Sequence, residues 1–190
     1  MSPRIFAFSA PSGAGKTTII ERILKIFPGL ARSVSATTRK PRGSEKDGID
    51  YFFKSREEFE KMISDGALIE YENVHGNLYG TPSGFLAEKL AEGRSIVLDI
   101  DVKGKLKLDR IHKDNVGIFI KPPSEEILKK RLVRRATDRA EDVEIRLKNA
   151  VHEMRLAREK GRYEYEVINC DLEKAVNEVA DIIRKETDGK

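Results

Sequence analysis

Four short stretches of the chain are continuously apolar, whereas the segments between them alternate apolar and polar positions. The four runs are residues 4–8, 95–100, 116–121 and 165–169. An apolar run of this length without alternation is typical of a strand that is covered on both faces of a parallel sheet. The pattern therefore predicts that all four segments are central strands of one parallel sheet.

Helical patterns fill most of the intervening sequence. After residue 15, apolar side chains recur at helical spacing and stop before Pro28-Gly29: Ile19, Ile20, Ile23, Leu24 and Phe27. Further amphipathic or charged helical segments span 84–93, 104–112, 125–160 and 172–185. Strands that alternate with helices in this way predict an α/β fold, a three-layer sandwich whose parallel strands are joined by right-handed crossovers.

Two segments interrupt the alternation. Residues 33–79 are rich in Thr, Arg, Tyr and Gly, and they include one helical pattern that opens with the capping box Ser55-x-x-Glu58. Its apolar positions, Phe59, Met62 and Ile63, share one face. We interpret this segment as a lobe inserted beside the main sheet. Residues 129–139 form a second excursion, which carries six basic side chains against one acidic side chain.

Length and charge narrow the possible classes of protein. The 190 residues, 21.5 kDa, suit a single domain with a sizeable core. The net charge of +4 is too small to indicate a nucleic-acid-binding protein. No apolar run approaches the ~20 residues of a membrane span, and the N-terminal apolar stretch is too short for a signal peptide. We therefore expect neither a nucleic-acid nor a membrane partner, and a cytoplasmic location.

The cysteine and the histidines offer little chemistry. The single cysteine, Cys170, excludes an internal disulfide and fits a reducing compartment, and we expect its small thiol in the core. His75, His112 and His152 do not have the spacing of metal ligands.

The string FSAPSGAGKTT, residues 8–18, predicts a phosphate-binding loop between the first strand and the first helix. Its glycines expose backbone N–H groups to an anion, Lys16 reaches the outer phosphates, and the Thr17 hydroxyl is a ligand for Mg²⁺. The predicted ATP-binding residues of the loop are Ala10, Pro11, Ser12, Gly13, Ala14, Gly15, Lys16 and Thr17. The alternative is a tight turn that binds nothing.

Ala10 stands where the usual pattern of such loops has its first glycine. Because proline restricts the residue before it to extended backbone angles, Pro11 places Ala10 in a conformation that alanine adopts without strain. A glycine is required only where φ is positive. We therefore expect the conformational demand to fall on Gly13 and Gly15.

The rest of the chain indicates which kind of nucleotide protein this is. A GTPase would carry the guanine-binding motif N-K-x-D, which does not occur here. The strings SVSATTRKPRGSEKDGIDYFF, IEYENVHGNLYGT, VLDIDVKG, PPS and VIN occur in the order and at the spacing of guanylate kinases. The chain resembles that family over nearly its whole length. The resemblance implies a core of about 1–34, 82–126 and 149–190, a mixed α+β GMP-binding lobe of about 35–81 and a helical lid of about 127–148.

The resemblance also implies a set of residues that bind GMP. Its phosphate would be held by Ser35, Arg39, Arg42, Tyr51 and Tyr79. Two guanidinium groups and three hydroxyls suit a dianion, although a basic string such as TTRKPR is otherwise often a solvated loop. Glu70 would accept from the two guanine N–H donors with Thr81 beside it, whereas Glu72 is assigned to the surface. Adenine offers neither donor, so AMP would leave the carboxylate unpaired.

Three further positions follow from the same resemblance. Asp101 would lie near GMP and Asp99 near the reacting phosphates, although an aspartate that follows a strand often only caps the next helix. Asn169 would lie near the adenine of ATP.

The lid is implied to supply two catalytic arginines, Arg135 and Arg146. The family commonly has G-R-G where this chain has Arg134-Arg135-Ala136, so we expect a stiffer lid, and which of the two arginines points inward stays open. Lys103 stands where the family usually has Gln.

The implied reaction is transfer of the γ-phosphoryl group of ATP to GMP, and to dGMP, with Mg²⁺ bound to the co-substrate ATP. The phosphate of GMP is mainly dianionic at neutral pH and needs no general base, so catalysis rests on Lys16, Asp99, Arg135 and Arg146. The alternatives are a catalytically inactive protein-binding module of the same fold and a monophosphate kinase for another base. The sequence leaves open whether the protein is a monomer or a homo-oligomer.

Overall fold

The computed structural model describes residues 3–74, 76–134 and 140–188. Its strands are β1 (Ile5–Ser9), β2 (Ala31–Arg32), β3 (Ala36–Thr37), β4 (Phe52–Phe53), β5 (Leu68–Val74), β6 (Asn77–Pro82), β7 (Ile96–Asp99), β8 (Val116–Lys121) and β9 (Tyr165–Ile168). Its helices are α1 (Lys16–Ile26), α2 (Arg56–Ser64), α3 (Ser83–Ala91), α4 (Val102–Ile111), α5 (Glu125–Arg134), α6 (Ala140–Lys160) and α7 (Leu172–Asp188).

The main sheet is parallel and has the strand order β2-β7-β1-β8-β9. Successive side chains of β1 point to opposite faces: Phe6 and Phe8 pack with α1 and α7, whereas Ile5 and Ala7 pack with α3 and α4. Helices therefore cover both faces of the sheet. The predicted three-layer α/β sandwich is confirmed.

The prediction that residues 165–169 form a central strand is wrong. β9 is the edge strand of the sheet and pairs only with β8. Its burial alternates: Val167 is fully buried, whereas the side chains of Glu166 and Ile168 are exposed. An apolar residue on the exposed side of the strand, Ile168, made a half-buried edge strand look like a buried one.

Cys170 is exposed, so the prediction that it lies in the core is also wrong. It follows β9 at the rim of the sheet, where the chain turns towards α7 and no layer covers it. In the described part of the chain, no helix has both the length and the hydrophobicity that a membrane span requires.

A second, mixed sheet is built from residues 36–82 in the order β4-β3-β6-β5. The predicted capping box is present, since Ser55 Oγ accepts from the backbone N–H of Glu58 while the Glu58 carboxylate accepts from the N–H of Ser55. The predicted apolar face of α2 is present too: Phe59 is fully buried against the second sheet, with Met62 and Ile63 beside it.

The charged segment 125–160 forms two helices that pack on each other, α5 and α6. Their shared core consists of Leu128, Leu132, Val143, Leu147 and Ala150. An i,i+4 ion pair lies on the exposed face of α6, with Lys148 Nζ 2.9 Å from Glu144 Oε1. Residues 135–139, which include Arg135, lie outside the described residues.

Candidate active site

The glycine loop connects the central strand β1 to α1. Gly13 and Gly15 both have left-handed backbone angles, with φ values of 88° and 96°. Gly15 is the N-cap of α1, and no side chain caps this helix. Its first N–H groups therefore remain available to an anion, at the end of the helix where the dipole is positive.

Close packing underneath fixes the shape of the loop. Asn169 donates from Nδ2 to the Ala14 carbonyl at 2.8 Å, and a Cβ at Gly15 would overlap the same amide nitrogen. Arg131 of α5 donates to the Asn169 carbonyl at 2.8 Å. The resemblance placed Asn169 near an adenine; in this structure the side chain is buried and supports the loop backbone. Arg131 was not foreseen, because a basic residue in a basic segment carries no distinguishing signal.

Lys16 connects the loop to the end of the neighbouring strand β7. Its Nζ lies 2.8 Å from Asp99 Oδ1 and 2.8 Å from the carbonyl oxygen of Ile100. Asp99 Oδ2 also lies 3.8 Å from the guanidinium group of Arg32. The Thr17 hydroxyl follows on the exposed side of α1. The structure thus brings a lysine, a carboxylate and a hydroxyl to one edge of the main sheet.

A cavity of about 420 Å³ lies between the two sheets and reaches this edge. Six of the predicted site residues line it: Ser35, Tyr51, Glu70, Tyr79, Asp99 and Asp101. The sequence separates these residues by up to 66 positions, and the second sheet brings them together. Two other predicted residues, Arg39 and Thr81, bond to members of this set, as described next.

One end of the cavity carries a buried carboxylate. Thr81 donates from Oγ1 to Glu70 Oε1 at 2.7 Å. Burial raises the pKa of Glu70, and the charges of Asp101 and Glu72 add to this; the hydrogen bond from Thr81 and the charge of Lys107 act in the opposite direction. Such a carboxylate gains strongly from a ligand that brings two N–H donors.

Glu70 fits against α4 because Gly104 has no side chain. A Cβ at Gly104 would lie 2.9 Å from Glu70 Cγ. Asp101 is the N-cap of α4 and accepts from the Gly104 N–H at 2.6 Å, so the capping role that the sequence left open is observed. Lys103, the residue before Gly104, is exposed, and its Nζ lies 3.7 Å from Glu72 Oε1.

The other end of the cavity is rich in hydroxyl groups, and Arg39 lies against the tyrosines that line it. Arg39 donates from Nε to Tyr79 Oη at 3.2 Å, and its guanidinium carbon lies 5.3 Å from the centre of the Tyr51 ring. The same guanidinium group forms a two-point ion pair with Glu45, which the sequence analysis missed. Arg42 joins this cluster only through its backbone N–H, while its side chain is exposed.

Helix α6 passes over the loop and brings a second unforeseen carboxylate. Glu153 is half-buried close to the loop: burial raises its pKa, while the nearby backbone N–H of Ser12 and the charge of Lys16 act in the opposite direction. Arg146 is half-buried on the same helix, whereas Arg135 lies outside the described residues. The periodicity of α6 could not single out Glu153, because acidic side chains are frequent along that charged helix.

The chain is similar to known proteins over nearly its whole length. A family model described as guanylate kinase matches residues 2–186. The guanylate kinase of Wolbachia sp. subsp. Brugia malayi is 44% identical over 183 residues, which cover 96% of this chain and 92% of that protein. The guanylate kinase of Syntrophotalea carbinolica is 46% identical over 182 residues, 96% of this chain and 85% of that protein.

A solved structure agrees with these sequence relatives. The crystal structure of guanylate kinase from Anaplasma phagocytophilum matches with a TM-score of 0.75 at 34% identity, and the match covers 97% of this chain and 86% of that one. This chain belongs to the guanylate kinase family.

Proposed function

We propose that the glycine loop binds ATP and that the cavity between the two sheets binds GMP. Guanylate kinases are ATP:GMP phosphotransferases, so the chain converts ATP and GMP into ADP and GDP. One observation carries the assignment of the cavity: the carboxylate of Glu70 lines one end, and Tyr79, which accepts from the guanidinium group of Arg39, lines the other. A nucleoside monophosphate with two N–H donors on its base matches both ends.

The base is recognised through a balance of hydrogen bonds. Ionised Glu70 accepts from N1–H and from the exocyclic amine of guanine, while Thr81 already occupies one of its lone pairs. Adenine has no donor at either position. AMP would therefore leave a desolvated carboxylate unsatisfied, which costs about 1–3 kcal/mol or more.

Charge neutralisation is the proposed basis of catalysis. Lys16 donates two of its three N–H groups to Asp99 and Ile100, which leaves the third for a phosphate oxygen. Arg146, and Arg135 outside the described residues, are the proposed further cations over the transferred group. The phosphate of GMP is mainly dianionic at pH 7 and attacks without a general base.

A divalent cation accompanies ATP, and Mg²⁺ is the proposed ion. Within residues 3–74, 76–134 and 140–188, no group of three or more His, Cys, Asp or Glu side chains could hold a metal ion by itself. This fits Mg²⁺, which takes most of its ligands from phosphates and water and few from the protein. The Thr17 hydroxyl is the proposed protein ligand. When bound, the cation neutralises charge on the phosphates.

The division into parts is a proposal as well. The second sheet, built from residues 36–82, supports a GMP-binding lobe of about 35–81, and α5 with the first turns of α6 supports a lid of about 127–148. The core then comprises about 1–34, 82–126 and 149–190. We propose the cytoplasm, where both substrates occur, as the location. An inactive binding module is not favoured, because the chain keeps Lys16, Thr17 and Glu70 in place.

A panel of acceptors tests this function. With ATP and Mg²⁺, the full chain is expected to phosphorylate GMP and dGMP at least about 10²-fold more efficiently, in kcat/KM, than AMP, CMP or UMP. A coupled assay that detects the diphosphate products measures all five. Absence of turnover with every acceptor would rule out the kinase, and a preference for AMP would remove Glu70 from base recognition.

Glu70→Gln tests the base site separately. The amide turns one acceptor into a donor that opposes a guanine N–H, so the preference for GMP over AMP is expected to fall at least about tenfold. Because the folded protein raises the pKa of this carboxyl, its charge at neutral pH opposes folding, and the melting temperature of the variant is expected to stay level or rise. Glu60→Gln, at an exposed position of α2 in the same lobe, is the control.

The raised pKa of Glu70 also predicts a pH dependence. Guanosine, which has no phosphate to titrate, is expected to bind more weakly as pH falls through that raised pKa, because protonation removes an acceptor. Calorimetry should show the loss beginning above the ordinary range of a glutamate, and the Glu70→Gln variant should lack this step. An identical profile for both proteins would assign the titration to another group.

Lys16→Ala is expected to lower kcat by at least about 10²-fold, because a donor to the developing charge is lost. Lys25→Ala, on the exposed side of the same helix, should leave kcat unchanged. Both variants should melt within a few degrees of the parent protein. Near-normal turnover by Lys16→Ala would remove the loop lysine from the mechanism.

Gly15→Ala is expected to abolish measurable ATP binding. The new Cβ meets a strain of about 1–3 kcal/mol at positive φ and also displaces the Asn169 amide that supports the loop. Gly29→Ala is the matched control, since its φ is not positive and no atom lies within 4 Å of the new Cβ. Equal ATP affinities in the two variants would contradict the proposed role of Gly15.

A further inference from the structure

The guanidinium group of Arg39 has few free donors. Its Nε–H is donated to Tyr79, one Nη1–H to the Lys40 carbonyl at 2.8 Å, and the other to Glu45 Oε2 at 3.0 Å. One Nη2–H is donated to Glu45 Oε1 at 2.9 Å. Since a guanidinium group carries five N–H bonds, a single Nη2–H remains.

That remaining N–H lies on a defined side of the group. Glu45 binds the end formed by the two terminal nitrogens, Nη1 and Nη2. The free Nη2–H therefore belongs to the other edge, the one it shares with the Nε–H that Tyr79 accepts. A phosphate oxygen that bonds to Nη2 also lies near the Tyr79 hydroxyl.

Glu45 holds more than the guanidinium group. Its Oε2 also accepts from the backbone N–H of Arg42 at 2.7 Å, so the carboxylate binds both Arg39 and Arg42. These two residues are the basic members of the proposed phosphate clamp, which consists of Ser35, Arg39, Arg42, Tyr51 and Tyr79. The side chains of Arg39 and Glu45 are only 11% and 26% exposed, which limits competition by water. The hydrogen bond from Arg39 lowers the pKa of Glu45, so the carboxylate stays ionised at neutral pH.

We propose that Glu45 is a positioning residue of the phosphate clamp, which turns the Nη2–Nε edge of Arg39 towards the phosphate of the acceptor nucleotide. This inference rests on the proposed binding of GMP in the cavity. Glu45 also lines the cavity, and its proposed action is on Arg39 and not on the nucleotide. Its negative charge is matched by Arg39, so the phosphate meets an oriented donor instead of a flexible cation.

An opposite role is physically possible for the same contact. If Arg39 had to leave Glu45 before it could bind phosphate, the carboxylate would be a competitor and its removal would strengthen binding. The bond from Nε to Tyr79 and the free Nη2–H favour positioning, because the phosphate-facing edge is available while the ion pair is intact.

Glu45→Gln tests the proposal on the full chain by calorimetry with GMP and with guanosine. The amide cannot accept from both nitrogens of Arg39, so the affinity for GMP is expected to fall about tenfold while the affinity for guanosine is unchanged. The KM for GMP should rise by a similar factor, with the KM for ATP and kcat at saturating GMP unchanged. Glu60→Gln is the matched control, because it neutralises an Arg56–Glu60 ion pair of the same lobe at an exposed place.

A double-mutant cycle shows whether Glu45 acts through Arg39. In an Arg39→Ala background, Glu45→Gln should cause no further loss of GMP affinity. Additive losses would overturn the proposal, and so would tighter GMP binding by Glu45→Gln or an equal weakening of GMP and guanosine. Glu45→Asp, which keeps the charge, should retain part of the affinity and serves if Glu45→Gln does not fold.

The same titrations distinguish a failure of the proposed function from a failure of the positioning role of Glu45. If the unmutated chain binds guanosine as tightly as GMP, Arg39 does not hold a phosphate, and the clamp assignment itself is wrong. If GMP binds much more tightly than guanosine but Glu45→Gln leaves this difference intact, only the positioning role of Glu45 is overturned.

Discussion

The ion pair between Lys16 and Asp99 joins the two halves of the site, and the parallel register of the main sheet makes it possible. β1 and β7 pair so that Phe8 lies opposite Asp99, and the loop that follows β1 therefore curls back over the end of β7. On the same strand end, Asp101 caps α4 and Gly104 leaves room for Glu70. The glycine loop, proposed to bind ATP, and Glu70, proposed to bind the base of GMP, thus both pack against residues at or just after the end of β7.

Parts of this arrangement could be predicted from the sequence because they depend on local rules. The strand before the loop, the capping box of α2 and the positive φ of Gly13 and Gly15 all follow from patterns a few residues long. Strand order does not, which is why β9 was taken for a central strand and Cys170 for a core residue. Glu45 and Glu153 could not be predicted as site residues for a related reason. A glutamate in a charged segment looks like a solvated residue until the fold shows what it bonds to.

The cavity combines two opposite electrostatic conditions, and each has a physical reason. Around Glu70 the charges are mostly negative and burial penalises the carboxylate, so the free protein stores unfavourable energy that a base with two donors relieves. Around Arg39 the charges are balanced by Glu45, and the hydrogen bonds are already made. In the proposed function, base selectivity thus comes from an incompletely satisfied group, whereas phosphate binding comes from a satisfied and oriented one. The first opposes folding at neutral pH, and the second adds rigidity to the second sheet.

Helix α6 carries another carboxylate with a raised pKa, Glu153, which lies close to the glycine loop. The Glu153 carboxylate lies close to the Ser12 N–H, while its Oε2 is buried and finds no partner among the described residues. Burial and the nearby charge of Asp101 raise the pKa of Glu153, and the positive charges of Lys16 and Lys103 oppose this. Phosphate groups bound at the loop would add negative charge close to this carboxylate and would raise its pKa further. Glu153 lies on the same helix as Arg146, and this helix packs on α5 through Leu147 and Val143. Helix α6 thus brings the charge of Glu153 close to the loop, and α5 brings the charge of Arg131 to the Asn169 carbonyl beside it, so both charges would interact with phosphate groups bound at the loop.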